Sequence, residues 1–300
     1  MTVNKAILNQ KLEDVVFNIF DTETTGDNSK NQDRPIEIAV VPFNLKNGFL
    51  DKPWERLIDP QMPIHPSAIP VHGLTDEDVQ GKPLLQDVMP ELLEYVEGSS
   101  LVAHNIKFDL AMLPEFEALD NPKIDTLRLA KHIFQIGELG YKDQDLRSYK
   151  CQELRYWLNI KVDTMGLPAH RAAADILVTG EVFRQTLIRF IERTYSETLQ
   201  DLYDFVNAPI MIEVMPFGKY KNVSLQEAVR KEIKNPKNYF AWLLKSVHAG
   251  EMSIDEDLKY SIEYHLKAHD IDLVALLVDE QHKDWKTIAT QTKSIKSKKM

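Results

Sequence analysis

The 300-residue sequence contains a single cysteine, no long hydrophobic run and no excess of basic side chains. One cysteine, Cys151, excludes an internal disulfide and a cysteine-rich zinc site. The strongest late apolar run, residues 273–278, is far shorter than the ~20 residues that cross a bilayer. The N-terminal residues lack the apolar core of a secretory signal, so we expect a cytoplasmic protein with no membrane partner.

Charge is distributed unevenly along the chain. The 36 basic and 46 acidic side chains give a formal net charge of −10, which argues against nucleic-acid binding over the whole surface. Most of the excess acid falls within residues 1–205, whereas residues 211–250 contain seven Lys and Arg against three acids. Any contact with a polyanion is therefore expected at a local surface.

Alternating strand-like and helix-like segments predict an α/β fold for residues 1–205. Segments rich in β-branched and aromatic residues predict strands at 15–20, 36–43, 53–59 and 99–105. Apolar residues at three-to-four spacing predict a long helix over about 171–193. Hairpin-connected strands followed by alternating helices and strands predict a mixed sheet covered by helices on both faces.

The pattern changes near residues 200–210, which predicts a second, small and mainly helical domain over residues 206–270. Asn235 and Pro236 are typical of the N-cap and first residue of a helix, and Ser253 with Glu256 is typical of a capping box. The last eighteen residues, from Lys283, contain six Lys and few packing groups beyond Trp285, and we expect residues 271–300 to form a mobile tail.

Three carboxylates stand where predicted strands end or helices begin. Asp21 and Glu23, in the sequence DTETTG, end the first strand, and the alternation of side chains places both on the same side of it. Asp109 follows the strand at 99–105, just inside a helix. Because like charges repel, paired carboxylates at a strand end favour hard cations such as Mg²⁺ or Mn²⁺. Taken singly, each could instead end the strand or cap the helix.

His170 and Asp175 lie five residues apart in the sequence HRAAAD. Five residues along a helix turn through about 500°, so the two side chains can share a site only if His170 lies in the preceding loop. Four carboxylates and one histidine of near-neutral pKa can hold two metal ions, activate water and accept its proton. Together these residues predict a site that hydrolyses phosphodiesters.

Three motifs of the sequence, DTETTG, AHNIKFD and HRAAAD, resemble in this order the motifs of the DEDDh 3′→5′ exonucleases. The spacing of His170 and Asp175 is that of the histidine branch of this family. The resemblance implies a ribonuclease H-like fold with a mixed five-stranded sheet and two Mg²⁺ or Mn²⁺ ions. It implies a general base, His170, and four metal ligands, the carboxylates of Asp21, Glu23, Asp109 and Asp175.

Weaker similarities indicate residues that touch the terminal nucleotide. The segment IPVHGLTDEDV is similar to a family segment near that nucleotide and points to His72. Residues beside the carboxylates complete the predicted substrate contacts: Thr22, Thr24, Asn105 and Phe108. His72 could equally cap a loop, and Phe108 could pack in the core.

The second domain resembles one group within the family, the exodeoxyribonuclease X enzymes. The segments FGKYKNVSLQEA and NPKNYFAWLL are similar to the C-terminal segment of that group, and the resemblance extends from about Val15 to about Leu266. Basic side chains interleaved with aromatic rings suit a surface that follows phosphates and stacks bases. We predict DNA contacts here by Lys219, Lys221 and Lys237. The aromatic residues could instead form the core of so small a domain.

The sequence therefore predicts a metal-dependent 3′→5′ exodeoxyribonuclease that releases nucleoside 5′-monophosphates from single strands or frayed 3′ ends of DNA. DNA repair is favoured over polymerase proofreading in replication, because the FGKY segment takes the place of a polymerase-binding tail. The enzymatic alternatives are an RNA 3′→5′ exonuclease and a proofreading subunit. A nucleic-acid-binding module with an inactive exonuclease fold would be expected to have lost a carboxylate, and all four are present. The oligomeric state is left open.

Overall fold

The strand that ends in DTETTG, β1 (Phe17–Thr24), lies inside the sheet. It pairs antiparallel with β2 (Pro35–Asn44) and parallel with β5 (Ser100–Ala103). The remaining strands are β3 (Gly48–Phe49), β4 (Trp54–Leu57) and β6 (Lys123–Asp125). The order is β3–β2–β1–β5–β6, and β4 also pairs with β2. The sheet is therefore mixed, as predicted.

The protein is described here from a computed structural model that covers residues 3–27, 33–164, 166–235 and 238–269. The chain divides into two compact units after Ala208. The helices of the first unit are α1 (Lys5–Leu8), α2 (Ile69–His72), α3 (Asp76–Val79), α4 (Leu85–Tyr95), α5 (Ile106–Met112), α6 (Pro114–Ala118), α7 (Thr126–Ile133), α8 (Cys151–Trp157), α9 (Ala172–Thr194) and α10 (Leu199–Asn207). The domains bounded at residues 205 and 270 stay a prediction.

Alternation along β1 divides its side chains between two hydrophobic clusters, one on each face of the sheet. Phe17 and Ile19 pack with residues of α7, α8, α9 and α10, whereas Phe20 packs with residues of α4, α5 and α6. Because side chains alternate, Asp21 and Glu23 lie on the α9 face and Thr22 on the α5 face. The predicted α/β fold with helices on both faces is confirmed.

The sheet has six strands, one more than the five predicted. Strand β2 is ten residues long, and it pairs with β4 along Glu37–Val40 and with β3 along Phe43–Asn44. Strand β3 contains only two residues. A strand that short carries no periodic pattern by which the sequence could reveal it.

The second unit is mainly helical. Its helices are α11 (Leu225–Glu232), α12 (Tyr239–His248) and α13 (Glu256–Lys267). The aromatic residues fill its core: Phe240 is fully buried, Tyr239 packs edge-on against it, and Tyr220 stacks on it at 5.8 Å between ring centroids. The core interpretation of these rings is therefore the one that the structure supports.

Two helix starts in this unit differ from those predicted. Helix α12 begins after Asn238, whose side chain accepts hydrogen bonds from the backbone N–H groups of Phe240 and Ala241. Helix α13 begins after Asp255 rather than Ser253.

Pro236 and the predicted tail at 271–300 lie outside the described residues. Among the residues that are described, no helix is both long enough and apolar enough to cross a membrane.

Candidate active site

Two carboxylates project from the end of β1 toward α9. Across the antiparallel pairing with β2, Asp21 lies opposite Ala39, and Glu23 lies opposite Glu37. The pairing register shifts directly after Glu23, where the strand ends. Both side chains are half-buried. The strand therefore holds two acids side by side at a point where its regular pairing stops.

Asp109, in the first turn of α5, is tied to β1 through Thr22. Its Oδ1 accepts a hydrogen bond from the Thr22 N–H at 3.1 Å and another from the Thr22 hydroxyl at 2.8 Å. Helix α5 begins after Asn105, which adopts a left-handed backbone with φ of 70°. Asp109 is buried. The two hydrogen bonds fix its carboxylate against the strand that bears Asp21.

His170 and Asp175 lie on either side of the beginning of α9. The His170 N–H donates to Asp175 Oδ2 at 3.0 Å, and Gln152 Nε2 donates to Asp175 Oδ1 at 3.0 Å. His170 has φ of 63°, a left-handed conformation that turns its ring back toward the carboxylate. Its Nδ1 lies 3.9 Å from Asp175 Oδ2, and its side chain is 53% exposed. Water can therefore reach the imidazole.

Three carboxylates converge closely. Asp21, Glu23 and Asp175 each offer an oxygen, and these oxygens lie within 4.8 Å of one another. Metal–oxygen distances for hard divalent cations are about 2.0–2.6 Å, so one cation fits between such oxygens. Asp109 lies outside this close group. A cleft of about 660 Å³ is lined by Asp21, Asp175, His170 and Asn105; we call it the carboxylate cleft.

Burial raises the pKa of all four carboxyl groups and is the largest cause in each case, and repulsion by neighbouring carboxylates adds to the rise at Asp21 and Glu23. The pKa of Glu23 is raised to about 8 and that of Asp109 to about 7. The pKa of Asp21 is raised well above its usual range by burial, then by the charges of Asp109 and Glu23. The pKa of Asp175 is raised by burial, although His170 and Gln152 act against the rise. A bound cation would relieve this repulsion, so the donor set fits a divalent metal.

A buried ion pair that the sequence did not predict fixes the start of α9 against β2. Arg171 Nε donates to Glu37 Oε1 at 3.0 Å, and the Ala172 N–H donates to Glu37 Oε2 at 2.8 Å. Glu37 is fully buried and lies opposite Glu23. Glu37 and Arg171 are 134 residues apart, so no local pattern joins them. The sequence contains one indication of this ion pair, the presence of Arg171 within the motif HRAAAD.

The predicted substrate residues occupy varied environments. Thr24 is buried, and its hydroxyl donates to the Gly26 carbonyl at 2.5 Å. His72 is buried at the end of α2, where its Nδ1 accepts a hydrogen bond from the Leu74 N–H at 3.1 Å. Asn105 is exposed and lines the carboxylate cleft, and Phe108 is half-buried. Substrate contact by Thr22, Thr24, His72, Asn105 and Phe108 stays a prediction.

Lys219 of the FGKY segment makes an ion pair within the second unit. Its ammonium donates to Glu232 Oε1 at 2.5 Å, and the Tyr220 hydroxyl donates to the same oxygen. Glu232 is almost fully buried, whereas the Lys219 side chain is 52% exposed. Lys221 is exposed, and Lys237 lies outside the described residues. DNA contact by the three lysines stays a prediction.

Comparison with known proteins adds family-level information. Residues 19–183 match the family model described as Exonuclease. Exodeoxyribonuclease 10 of Escherichia coli K12 is 28% identical over 252 residues, which cover 84% of this chain and 99% of that protein. The PolC-type DNA polymerase III of Caldanaerobacter subterraneus is 33% identical over 181 residues, 59% of this chain but only 12% of the polymerase. The structure of exonuclease X with 5′-overhanging duplex DNA superposes with a TM-score of 0.51 at 26% identity, over 64% of this chain and 99% of that one.

Proposed function

Because the chain belongs to the exonuclease family, we propose that it is a metal-dependent 3′→5′ exodeoxyribonuclease that releases nucleoside 5′-monophosphates from DNA. The observation that carries this proposal is the convergence of Asp21, Glu23 and Asp175, whose oxygens lie within 4.8 Å of one another with His170 beside them. Half-buried acids this close together repel one another when they are ionised, and a divalent cation bound among them would relieve that repulsion and supply the charge that phosphodiester hydrolysis uses.

The four carboxylates would hold two Mg²⁺ or Mn²⁺ ions. Asp21, Glu23 and Asp175 supply the converging oxygens, and Asp109 is held against β1 by Thr22. When bound, such ions neutralise the charge of the phosphate, lower the pKa of the attacking water and stabilise the leaving oxygen.

His170 is the proposed proton acceptor. Its ring is accessible to water, and its Nδ1 lies 3.9 Å from Asp175 Oδ2, beside the converging carboxylates. The hydrogen bond from the His170 backbone to Asp175 keeps the loop and the helix in register. The ring can therefore take a proton from water and release it to solvent.

DNA is the proposed substrate, with single strands and frayed 3′ ends as the preferred forms. The similarity to exodeoxyribonuclease 10 spans 252 residues, more than the 208 of the first unit, so it extends into the second unit. The similarity to the PolC-type polymerase spans 181 residues. The longer match favours a free-standing exonuclease over a proofreading subunit. We also propose that the protein acts in DNA repair and in the cytoplasm.

The proposal is tested by incubating a labelled DNA strand with the protein and Mg²⁺ and measuring the release of mononucleotides from the 3′ end. Asp21→Ala and His170→Ala are each expected to lower kcat by at least about a hundredfold, because each removes a group of the proposed machinery. RNA of the same sequence is expected to be degraded more slowly.

Control variants show whether a loss of activity comes from the missing site residue or from a general change in charge or folding. Glu97→Ala removes an acidic side chain and His248→Ala removes a histidine at exposed positions outside the carboxylate cleft, and both variants are expected to retain activity. Undiminished release by Asp21→Ala or His170→Ala would contradict the mechanism. Preferential degradation of RNA would contradict the substrate.

A further inference from the structure

Helix α8 borders two clefts. Its first residues, Cys151 and Gln152, line the carboxylate cleft, whereas later residues line a second cleft of about 790 Å³. This volume is within the range of ligand-binding pockets, about 300–1,000 Å³. We call it the tyrosine cleft and define it by six of its lining residues: Tyr141, Lys142, Arg155, Tyr156, Trp157 and Lys161.

Exposed tyrosine rings stand beside cations in this cleft. Tyr156 is 69% exposed and Tyr141 is 45% exposed, although both line a concave surface. The guanidinium of Arg155 lies 5.4 Å from the Tyr156 ring centroid, and the ammonium of Lys142 lies 5.2 Å from that of Tyr141. Single-stranded nucleic acid stacks its bases on such rings and places its phosphates on such cations.

Two acidic residues that line the cleft already have partners. Asp145 forms an ion pair with Arg147 at 3.2 Å. Glu153 accepts hydrogen bonds from the backbone N–H groups of Arg147 at 2.7 Å and Ser148 at 2.8 Å. Asp163 is a third acid in the lining. Within the described chain, Lys142 and Lys161 form no ion pair, so both ammonium groups remain available to phosphates.

The wall of the cleft contains backbone conformations that most residues avoid. Lys142 has φ of 56° and Asn159 has φ of 55°, both in the left-handed region. Gly140 packs so closely on Trp157 that a Cβ would collide with the indole ring. The Trp157 Nε1–H donates to the Glu138 carbonyl at 3.1 Å, which holds this turn in place. Backbone strain of this kind concentrates at binding and catalytic sites, where the surrounding structure maintains it.

Two hydrogen bonds connect the tyrosine cleft to the candidate active site. Arg155 Nη1 donates to Gln152 Oε1 at 3.4 Å, and Gln152 Nε2 donates to Asp175 Oδ1 at 3.0 Å. The two clefts are thus separated by one turn of α8. A strand whose 3′ end lies at Asp175 would enter the tyrosine cleft within a few nucleotides.

We propose that the tyrosine cleft binds the substrate strand a few nucleotides from the scissile phosphodiester, its two tyrosines stacking on bases and its three cations contacting phosphates. This proposal rests on the proposed function, because its occupant is the strand that the carboxylates hydrolyse. It adds a binding site that acts on strand affinity without touching the reacting atoms.

The test measures two substrates side by side. One is a short single-stranded oligodeoxynucleotide, and the other is the 4-nitrophenyl ester of thymidine 5′-monophosphate, which offers a phosphodiester without a strand. Tyr156→Ala is expected to raise the KM for the oligonucleotide by about fivefold or more, since one stacking contact is lost. Its kcat on the ester is expected to equal that of the wild type. Tyr156→Phe keeps the ring and is expected to restore the oligonucleotide KM.

Tyr195→Ala is the matched control, because Tyr195 is 88% exposed at the end of α9 and outside the cleft. An unchanged oligonucleotide KM in both Tyr156→Ala and Tyr141→Ala would overturn the proposal. An equal loss on both substrates would also overturn it, because the tyrosines would then act on the carboxylates.

If the wild type hydrolyses neither substrate, the proposed function fails by itself. Fluorescence anisotropy with a labelled oligonucleotide, in the absence of metal, then tests the cleft: weaker binding by the alanine variants supports it, and equal binding contradicts it.

Discussion

The carboxyl groups of the candidate site are poorly stabilised in their ionised form when no metal is bound. Burial raises the pKa of Glu23 to about 8 and that of Asp109 to about 7, against ordinary values of 4.5 and 3.8. In the metal-free protein, the folded state therefore binds more protons than the unfolded state between about pH 4 and pH 8. Stability must fall as the pH rises through this interval.

We accordingly expect the melting temperature of the protein in EDTA to be lower at pH 8 than at pH 5.5. Mg²⁺ should restore it at pH 8, because the cation stabilises the ionised carboxylates. Asp21→Asn removes one of the repelling charges, and its metal-free form should be more stable than the wild type at pH 8. Differential scanning fluorimetry measures all three. A metal-free melting temperature that is the same at both pH values and in the variant would contradict the repulsion.

The residues that face one another across the site differ in how far the sequence could predict them. Asp21, Glu23, Asp109, His170 and Asp175 could be identified because each lies in a short motif at an element boundary. Glu37 and Gln152 could not, because their importance depends on contacts with residues that are distant in sequence: Arg171 for Glu37 and Asp175 for Gln152. Such contacts appear only after the sheet and α9 come together.

At the scale of elements, the start of α9 is fixed by the ion pair between Glu37 and the N-cap residue Arg171, because the Arg171 side chain forms no capping hydrogen bond with the helix backbone. Glu37→Gln is expected to lower the free energy of unfolding by about 2 kcal/mol, because Arg171 loses its charged, buried partner and keeps only the longer contact with Glu55 Oε1 at 3.4 Å. It should also lower kcat about tenfold or more with little change in KM, because His170 and Asp175 follow the displaced helix start. Thermal unfolding and steady-state kinetics measure the two effects.

Arg171→Lys keeps the charge but loses the planar fork, so its effects should lie between those of the wild type and Glu37→Gln. Glu181→Gln is the control, because it removes an ion pair with Arg184 farther along the same helix. That substitution should cost about 1 kcal/mol or less and leave kcat unchanged. If Glu37→Gln kept full activity, the helix start would not depend on the pair.

The elements that the sequence identified best were the long ones. The helix predicted at about 171–193 is α9 (Ala172–Thr194), and the strand predicted at 36–43 is β2 (Pro35–Asn44). The start of α12 was wrong by a few residues, because Asn235 and Asn238 are both good caps and packing decides between them. Glu232 is the deciding partner: its Oε2 accepts the Tyr239 N–H at 3.0 Å, and Asn235 donates to the same carboxylate at 2.8 Å.

At the scale of the whole molecule, charge separates along the chain, with the basic stretch 211–250 in the second unit. Deleting residues 211–300 is expected to weaken affinity for DNA while leaving the metal site intact. A plot of log affinity against log salt should become shallower by about 0.7 for each phosphate contact that is lost from a single strand. Fluorescence anisotropy at several salt concentrations measures both changes.

Hydrolysis of the 4-nitrophenyl ester of thymidine 5′-monophosphate is the internal control for the deletion of residues 211–300. It should proceed with the kcat of the full chain, because the carboxylates belong to the first unit. Equal DNA affinity and an equal salt slope in the truncated protein would show that the second unit contributes no contact with the strand.

The wide spacing of the candidate catalytic residues along the chain has a consequence for biosynthesis. Asp21 and Glu23 lie on a strand near the start of the chain, but Asp175 and the Arg171 that meets Glu37 come about 150 residues later. Contacts over such separations cost more loop-closure entropy than local ones and slow the folding of a chain that depends on them. A nascent or partly folded chain therefore carries acids without a competent site. Hydrolytic activity is therefore expected only from molecules in which β1, β2 and the start of α9 have come together.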